Sequence, residues 1–163
     1  MLAVTRNETN QGSSILVDIE QLVNRKTVFF MYEHSRKEVL DVLCQKAVEL
    51  GLVEDIGAFQ SAIYAREGIC STAIGDGIAI PHARLSGISS FFVLTAIVNT
   101  PVNWDAPDQK PVNLVFLIGG PQNDQLSYLH LLGKILRSVK DQDNRTRILA
   151  SVNAEEVAAL FVD

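Results

Sequence analysis

Apolar residues recur along this chain with two different periods, and the change of period marks where helices give way to strands. After Ser35, the residues Val39, Leu40, Leu43, Cys44, Ala47 and Val48 fall on one face of a 3.6-residue repeat. Ser35 with Glu38 three residues on is a capping-box start, and Gly51 is the stop. A second helix is predicted from Asp55 to Glu67, with Ile56, Phe59 and Ile63 inward and Gly68 ending it. Before both, Ile19, Leu22 and Val23 make a short apolar-periodic turn. The run Thr27 to Met31, rich in β-branched and aromatic residues, then reads as a first strand.

From residue 73 the pattern turns to β. Asp76-Gly77 between apolar positions predicts a hairpin, and Pro81, which cannot donate to a ladder, closes the segment. Phe91 to Val98 reads as a buried strand. Val112 to Ile118, nearly all apolar, reads as a strand covered on both faces and ending at Gly119-Gly120-Pro121. The Pro-, Asn- and Asp-rich stretch between them is a loop whose tryptophan, Trp104, is expected to anchor packing. Three helices follow, over about 124–140, 143–151 and 154–161, the last capped by Asn153. In the first of them Leu126, Leu129 and Leu132 are expected to face the core, with His130, Lys134 and Arg137 along another face. Strands in the middle with helices at both ends predict an α/β fold, a three-layer α/β/α sandwich with a mixed central sheet of four to five strands. One domain is expected over 15–163, preceded by a polar leader, 1–14, with little to bury.

Composition narrows the chemistry. Fourteen basic against nineteen acidic residues give a net charge of −5, which does not attract a phosphate backbone, so no nucleic-acid partner is expected. Three histidines and two cysteines, none at ligand spacing, imply neither a metal site nor a disulfide framework. No nucleotide-binding loop is present, so no cofactor is expected. The most apolar stretch, Phe91 to Val98, is far below the ~20 residues of a spanning helix, and the N-terminus lacks a signal-peptide core. The expectation is a cytoplasmic protein without membrane insertion.

Arg66 to His82 departs from ordinary fold-building. It is dense in small and polar residues and ends in Ile78-Ala79-Ile80-Pro81-His82. A histidine directly after a strand-ending proline is fixed at a sheet edge, and Gly75, Gly77, Ala79 and Ala83 leave room for another molecule. Ser71, Thr72 and the glycine amides are candidate donors to an anion, and Arg66 is a candidate counter-charge. The residues alone leave two readings open: a nucleophilic histidine beside a phosphate-sized pocket, or a hairpin followed by an ordinary half-exposed histidine. His130, taken alone, reads as a boundary histidine satisfied by a carbonyl.

Glu67, six residues, Ile74-Gly75, two residues, then Ile78-Ala79-Ile80-Pro81-His82-Ala83 resembles the active-site signature of one family. This is the enzyme IIA family of the bacterial phosphoenolpyruvate-dependent phosphotransferase system, in its fructose, mannitol and nitrogen-regulatory class. Arg66-Glu67 with Ser71-Thr72, Trp104-Asp105 with Lys110-Pro111-Val112, Leu114 to Ile118, and Leu129-His130-Leu131-Leu132 extend the similarity over about residues 15–162. The resemblance implies a phosphotransferase with a phosphohistidine intermediate. His82 would accept the phosphoryl group from the phosphocarrier protein HPr, with His130 as second active-site histidine and Arg66 as the assisting arginine. The group would pass to a IIB component, or the phosphorylation state would regulate a target protein such as a kinase or transporter. Ala83 stands where glycine is commoner, and Arg84 where nitrogen-regulatory members often carry lysine; both bear on subgroup and partner. The free-standing length leans toward the regulatory subgroup.

Overall fold

The computed structural model describes residues 17–161, so the leader expected over 1–14 lies outside the described residues. Two helices, α1 (Ile19–Leu22) and, after strand β1 (Val28–Met31), α2 (Arg36–Glu49), lead into α3 (Ile56–Ile69). Strands β2 (Ala73–Gly75), β3 (Ile78–Ala79), β4 (His82–Leu85), β5 (Phe92–Val102) and β6 (Val112–Pro121) follow. Helices α4 (Gln125–Lys140), α5 (Gln142–Ala150) and α6 (Ala154–Ala158) complete the described chain. The sheet is mixed, in the order β1-β5-β6-β3-β2, with β4 also on β6.

Six strands stand where four to five were expected, because Pro81 divides one line of chain into two. Ala79 pairs with Val115 and His82 with Ile118, so β3 and β4 keep one register along β6 across the Ile80-Pro81 break. The proline interrupts the ladder rather than ending it, since only its own N–H is missing. The Asp76-Gly77 hairpin forms as expected, both residues having positive φ (56° and 77°) as a two-residue turn between right-twisted strands requires. Gly119 and Gly120 sit inside β6 rather than in a turn. A Cβ on Gly119 would lie 2.2 Å from the Phe92 ring, so this strand needs a residue without a side chain there. Likewise α3 runs through Gly68 to Ile69, and β5 continues past Val98 over a shifted register to Val102.

Alternation along the central strands builds two cores. Phe92, Leu94, Ala96 and Val98 of β5, with Val115 and Leu117 of β6, pack with α2 and α3 through Leu40, Leu43, Phe59 and Ile63. Val93 and Ile97, with Leu114, Phe116 and Ile118, pack with α1, α4, α5 and α6 through Ile19, Leu131, Ile135, Ile148 and Val157. This is the three-layer arrangement. The helix starts are capped as the sequence implies: Ser35 Oγ accepts from Glu38 N–H, and Asn153 Oδ1 accepts from Glu156 N–H.

One core position breaks the pattern. Thr95, between Val93 and Ile97 on β5, is fully buried, and its hydroxyl has no partner among the described residues. The isosteric Thr95→Val change removes that desolvated hydroxyl and adds a methyl to an apolar layer. It is expected to stabilise the fold by roughly 1 kcal/mol, read as a higher urea midpoint at unchanged slope; a lower midpoint would contradict the orphaned hydroxyl.

Candidate active site

His82 opens β4 opposite Ile118, and the alternation that points Ile78 and Ile80 toward α4 carries His82 and Arg84 to the same side. The imidazole is half-buried, and its Nδ1 lies 3.0 Å from the carbonyl oxygen of Ile80. A carbonyl only accepts, so Nδ1 carries the proton and donates it, and Nε2 keeps the free lone pair. Burial disfavours the imidazolium and holds the His82 pKa below the usual histidine range. The Ile80 bond opposes this, Arg66 and Arg84 reinforce it, and Glu67 opposes it weakly. The ring at neutral pH is therefore uncharged and tautomer-fixed, with its Nε2 lone pair free.

The side chain that α4 lays against this ring is Tyr128, its centroid 5.3 Å from that of His82 at 39°. Arg84 covers Tyr128 with its guanidinium carbon 5.1 Å from the ring centroid, and its Nη1 reaches toward the Gln122 carbonyl at 3.5 Å. His130 is not brought to His82. It stands two residues beyond Tyr128, about 200° round the helix, on the exposed face. The buried stripe of α4 is Tyr128, Leu131, Ile135 and Val139, whereas Leu126 and Leu129 are 60% and 50% exposed. The expected leucine stripe was rotated by about 100°, one residue's turn. The signal that separates the two stripes is spacing: Tyr128, Leu131, Ile135 and Val139 recur at 3, 4 and 4 residues over the whole helix.

Arg66 occupies the last turn of α3, where its Nη1 donates to the Cys70 carbonyl at 2.9 Å, and its charge acts on both His82 and Tyr128. Its neighbour Glu67 is buried. Glu67 Oε1 accepts from Thr72 N–H at 3.0 Å and from Trp104 Nε1 at 2.9 Å, and Oε2 accepts from the Thr72 hydroxyl at 2.6 Å. Arg36 lies 3.7 Å from the same carboxylate and donates to the Trp104 carbonyl, which also accepts from Ser71 Oγ. The protons of Ser71 and Thr72, expected to face an anion, are thus committed inside this network. Trp104 is fully buried, the anchor its loop implied. Of the expected set, the structure brings Arg66 to His82, gives Ser71 and Thr72 to the scaffold beneath them, and adds Tyr128 and Arg84. Among the described residues no cluster of His, Cys, Asp and Glu could hold a metal ion, and no helix is long and apolar enough to cross a membrane.

The sequence profile described as "Phosphoenolpyruvate-dependent sugar phosphotransferase system, EIIA 2" matches residues 21–163. A "Nitrogen regulatory protein" of Bradyrhizobium diazoefficiens is 34% identical over 128 residues, 78% of this chain and 83% of that protein. The crystal structure of nitrogen regulatory protein IIA-Ntr from Neisseria meningitidis superposes with a TM-score of 0.83 at 28% identity, covering 88% of this chain and 99% of that one. The IIA mannitol enzyme of Escherichia coli, solved in complex with phosphorylated IIB mannitol, shares the fold at a TM-score of 0.72 and 18% identity, covering 83% and 94%.

Two outcomes follow from this geometry. Because the folded His82 pKa lies below the unfolded value near ~6.5, the unfolded chain protonates first as pH falls. This group leaves stability unchanged above that value and reduces it in the interval below. A histidine-resolved NMR titration is expected to give His82 a midpoint under the ordinary range; a raised midpoint would contradict the burial and the two arginines. Glu67→Ala strands the Thr72 and Trp104 N–H donors and is expected to cost about 3 kcal/mol, whereas Glu67→Gln, which keeps one acceptor oxygen, should cost less than half of that. Urea denaturation followed by the fluorescence of Trp104 checks both.

Proposed function

The chain belongs to the phosphoenolpyruvate-dependent sugar phosphotransferase system EIIA 2 family, and from that membership we propose that it is a phosphocarrier whose acceptor atom is Nε2 of His82. Proteins of this family are phosphotransfer proteins. The observation that carries the assignment of the atom is the Nδ1–H bond to the Ile80 carbonyl, which leaves Nε2 as the free nitrogen of a neutral ring. The Nε2 lone pair attacks the phosphorus of a partner's phosphohistidine, which HPr supplies. The partner's N–P bond breaks with its electron pair returning to the partner's nitrogen, and each ring keeps the N–H it already holds. The Ile80 carbonyl then faces the N–H of a ring that has become more positive, which favours the phosphorylated form electrostatically.

Phosphoryl transfer needs positioning and charge stabilisation more than proton chemistry. Arg66 and Arg84 supply the charge from opposite sides of the sheet edge. Their present hydrogen-bond partners are neutral, the Cys70 carbonyl and Sγ for Arg66 and the Gln122 carbonyl for Arg84, and a phosphoryl oxygen outcompetes them as an acceptor. Ile69, 80% exposed at the same helix end as Arg66, and Leu126 and Leu129 on the helix of Tyr128 offer apolar ground to a docking protein, whether HPr or a IIB component. The nitrogen regulatory proteins among the relatives favour a regulatory output, in which the phosphorylation state of His82 changes what this face binds.

Incubation with phosphoenolpyruvate, enzyme I and HPr is expected to add one acid-labile phosphoryl group by intact mass. His82→Ala should abolish that addition with an unchanged circular dichroism spectrum, because the ring sits half-exposed at a sheet edge. Retention of acid-labile phosphate on the His82→Ala protein would remove the assignment.

A further inference from the structure

Tyr128 is only 8% exposed, yet no described residue accepts its hydroxyl proton. The one fully enclosed side-chain polar atom without a partner among the described residues is Thr95 Oγ1, so the Tyr128 oxygen opens to solvent at the mouth of the site. A phenylalanine would fill the same slot against His82 and Arg84. The hydroxyl therefore contributes nothing to the packing the structure displays, and it stays available to whatever enters the site. Water serves the hydroxyl in the free protein, and a solute that takes the place of that water has a definite chemistry. It must be an acceptor, because a phenol at neutral pH offers a proton. It must also be tolerated beside Arg84, which stacks on this ring, and Arg66, whose charge reaches it. An anion carried on the ring that Tyr128 touches meets all of these conditions.

We propose that Tyr128 is a phosphoryl-contacting residue: its hydroxyl donates a hydrogen bond to a non-bridging oxygen of the group on His82 Nε2, with Arg84 stacked behind it to hold the phenol in place. The inference rests on the phosphocarrier reading of His82. The two arginines then have different jobs. Arg66 is a counter-charge arriving from α3, and Arg84, besides its charge, holds the ring it covers. The cation over its face also makes the phenol a stronger donor, opposing the burial that would otherwise hold its proton more tightly. The helix α4 contributes to the site through the buried stripe that fixes Tyr128, and His130 on its outer face lies apart from the transferred group.

The test uses potassium phosphoramidate, a small phosphoryl donor, so that partner docking does not enter. Tyr128→Phe keeps the ring between His82 and Arg84 and deletes only the hydroxyl. Its phosphorylation at His82 is expected to slow about tenfold, the worth of one hydrogen bond formed in the transition state. The 31P resonance of the phosphohistidine should move from its wild-type position, a signature that loss of packing alone would not produce. In the wild type, phosphorylation should raise the phenol titration midpoint of the tyrosine that disappears in Tyr128→Phe. A Tyr128→Phe protein with wild-type rate and wild-type 31P shift overturns the proposal, and so does a slowed rate with an unmoved resonance, which would make the ring a wall and nothing more. A wild-type protein that takes no phosphoryl group on His82 from either phosphoramidate or HPr fails at the earlier step, and the two failures are distinguishable.

Discussion

A single buried carboxylate holds together the segments that make this site. Glu67 sits near the end of α3 and gathers donors from Thr72, five residues on, and from Trp104, 37 residues on, with Arg36 of α2 alongside. A charge taken out of water costs several kcal/mol unless its lone pairs are filled, so the network is stable only when all of its donors arrive together. That condition fixes where α3 ends, how the chain turns into β2, and where the Trp104 loop lies. Arg66 precedes Glu67 by one residue, so the constraint that positions the scaffold also sets the cation beside His82. The hydroxyls of Ser71 and Thr72 belong to this arrangement: they are the reason the turn holds its shape.

The other side of the site depends on a proline. In a line of chain paired with β6, Pro81 omits one N–H while keeping the register, so the strand can restart at His82 without a slip. A slip of one residue would turn His82 and Arg84 toward α2 and α3 and away from Tyr128. The flanking Gly119 and Gly120 lie under the Phe92 and Phe91 rings, which close the sheet over the strand end where His82 pairs. The His82 ring is therefore carried by backbone hydrogen bonds on a strand rather than by a loop, and its Nδ1 is tied back to the carbonyl of Ile80 just before that strand.

Much of this was legible residue by residue, and the gaps have physical causes. The hairpin and the helix caps could be read because each needs a particular residue for a local reason: positive φ at Asp76-Gly77, a side-chain acceptor at Ser35 and Asn153. The signature around His82 led to the family, which the sequence profile over residues 21–163 bears out. Strand β4 was not legible, because four residues directly after a proline are too short to announce a strand, and it exists only where β6 offers it an edge. Gly119-Gly120 read as a turn because the rings that demand glycine come from Phe91 and Phe92, on β5 and just before it. On α4, two leucine-bearing stripes overlap, and only the one that starts at Tyr128 continues through Ile135 to Val139, so it is missed when the amphipathic tyrosine is left out of the apolar set. Glu67 as an interior carboxylate was equally hidden, since its donors converge only in the fold.

The electrostatic design of the site follows from what a carrier must do. A phosphoryl group that is to be passed on must be held, but not so strongly that the next nitrogen cannot take it. Charges enclosed at low dielectric would bind the dianion far more tightly than the same charges at a partly wet surface, because Coulomb energies scale inversely with the effective dielectric constant. Here His82 is half-buried and both arginines are only partly covered, resting on the neutral acceptors of Cys70 and Gln122. On the proposed role of His82, the neutral, tautomer-fixed ring would capture the group without a base, and solvent screening of the guanidinium groups would limit how deep the bound state becomes. A fully enclosed pocket would trap the group, and a bare surface histidine would lose it to water. The sheet edge, walled by one aromatic ring and two half-exposed cations, lies between those limits and remains open to a partner protein.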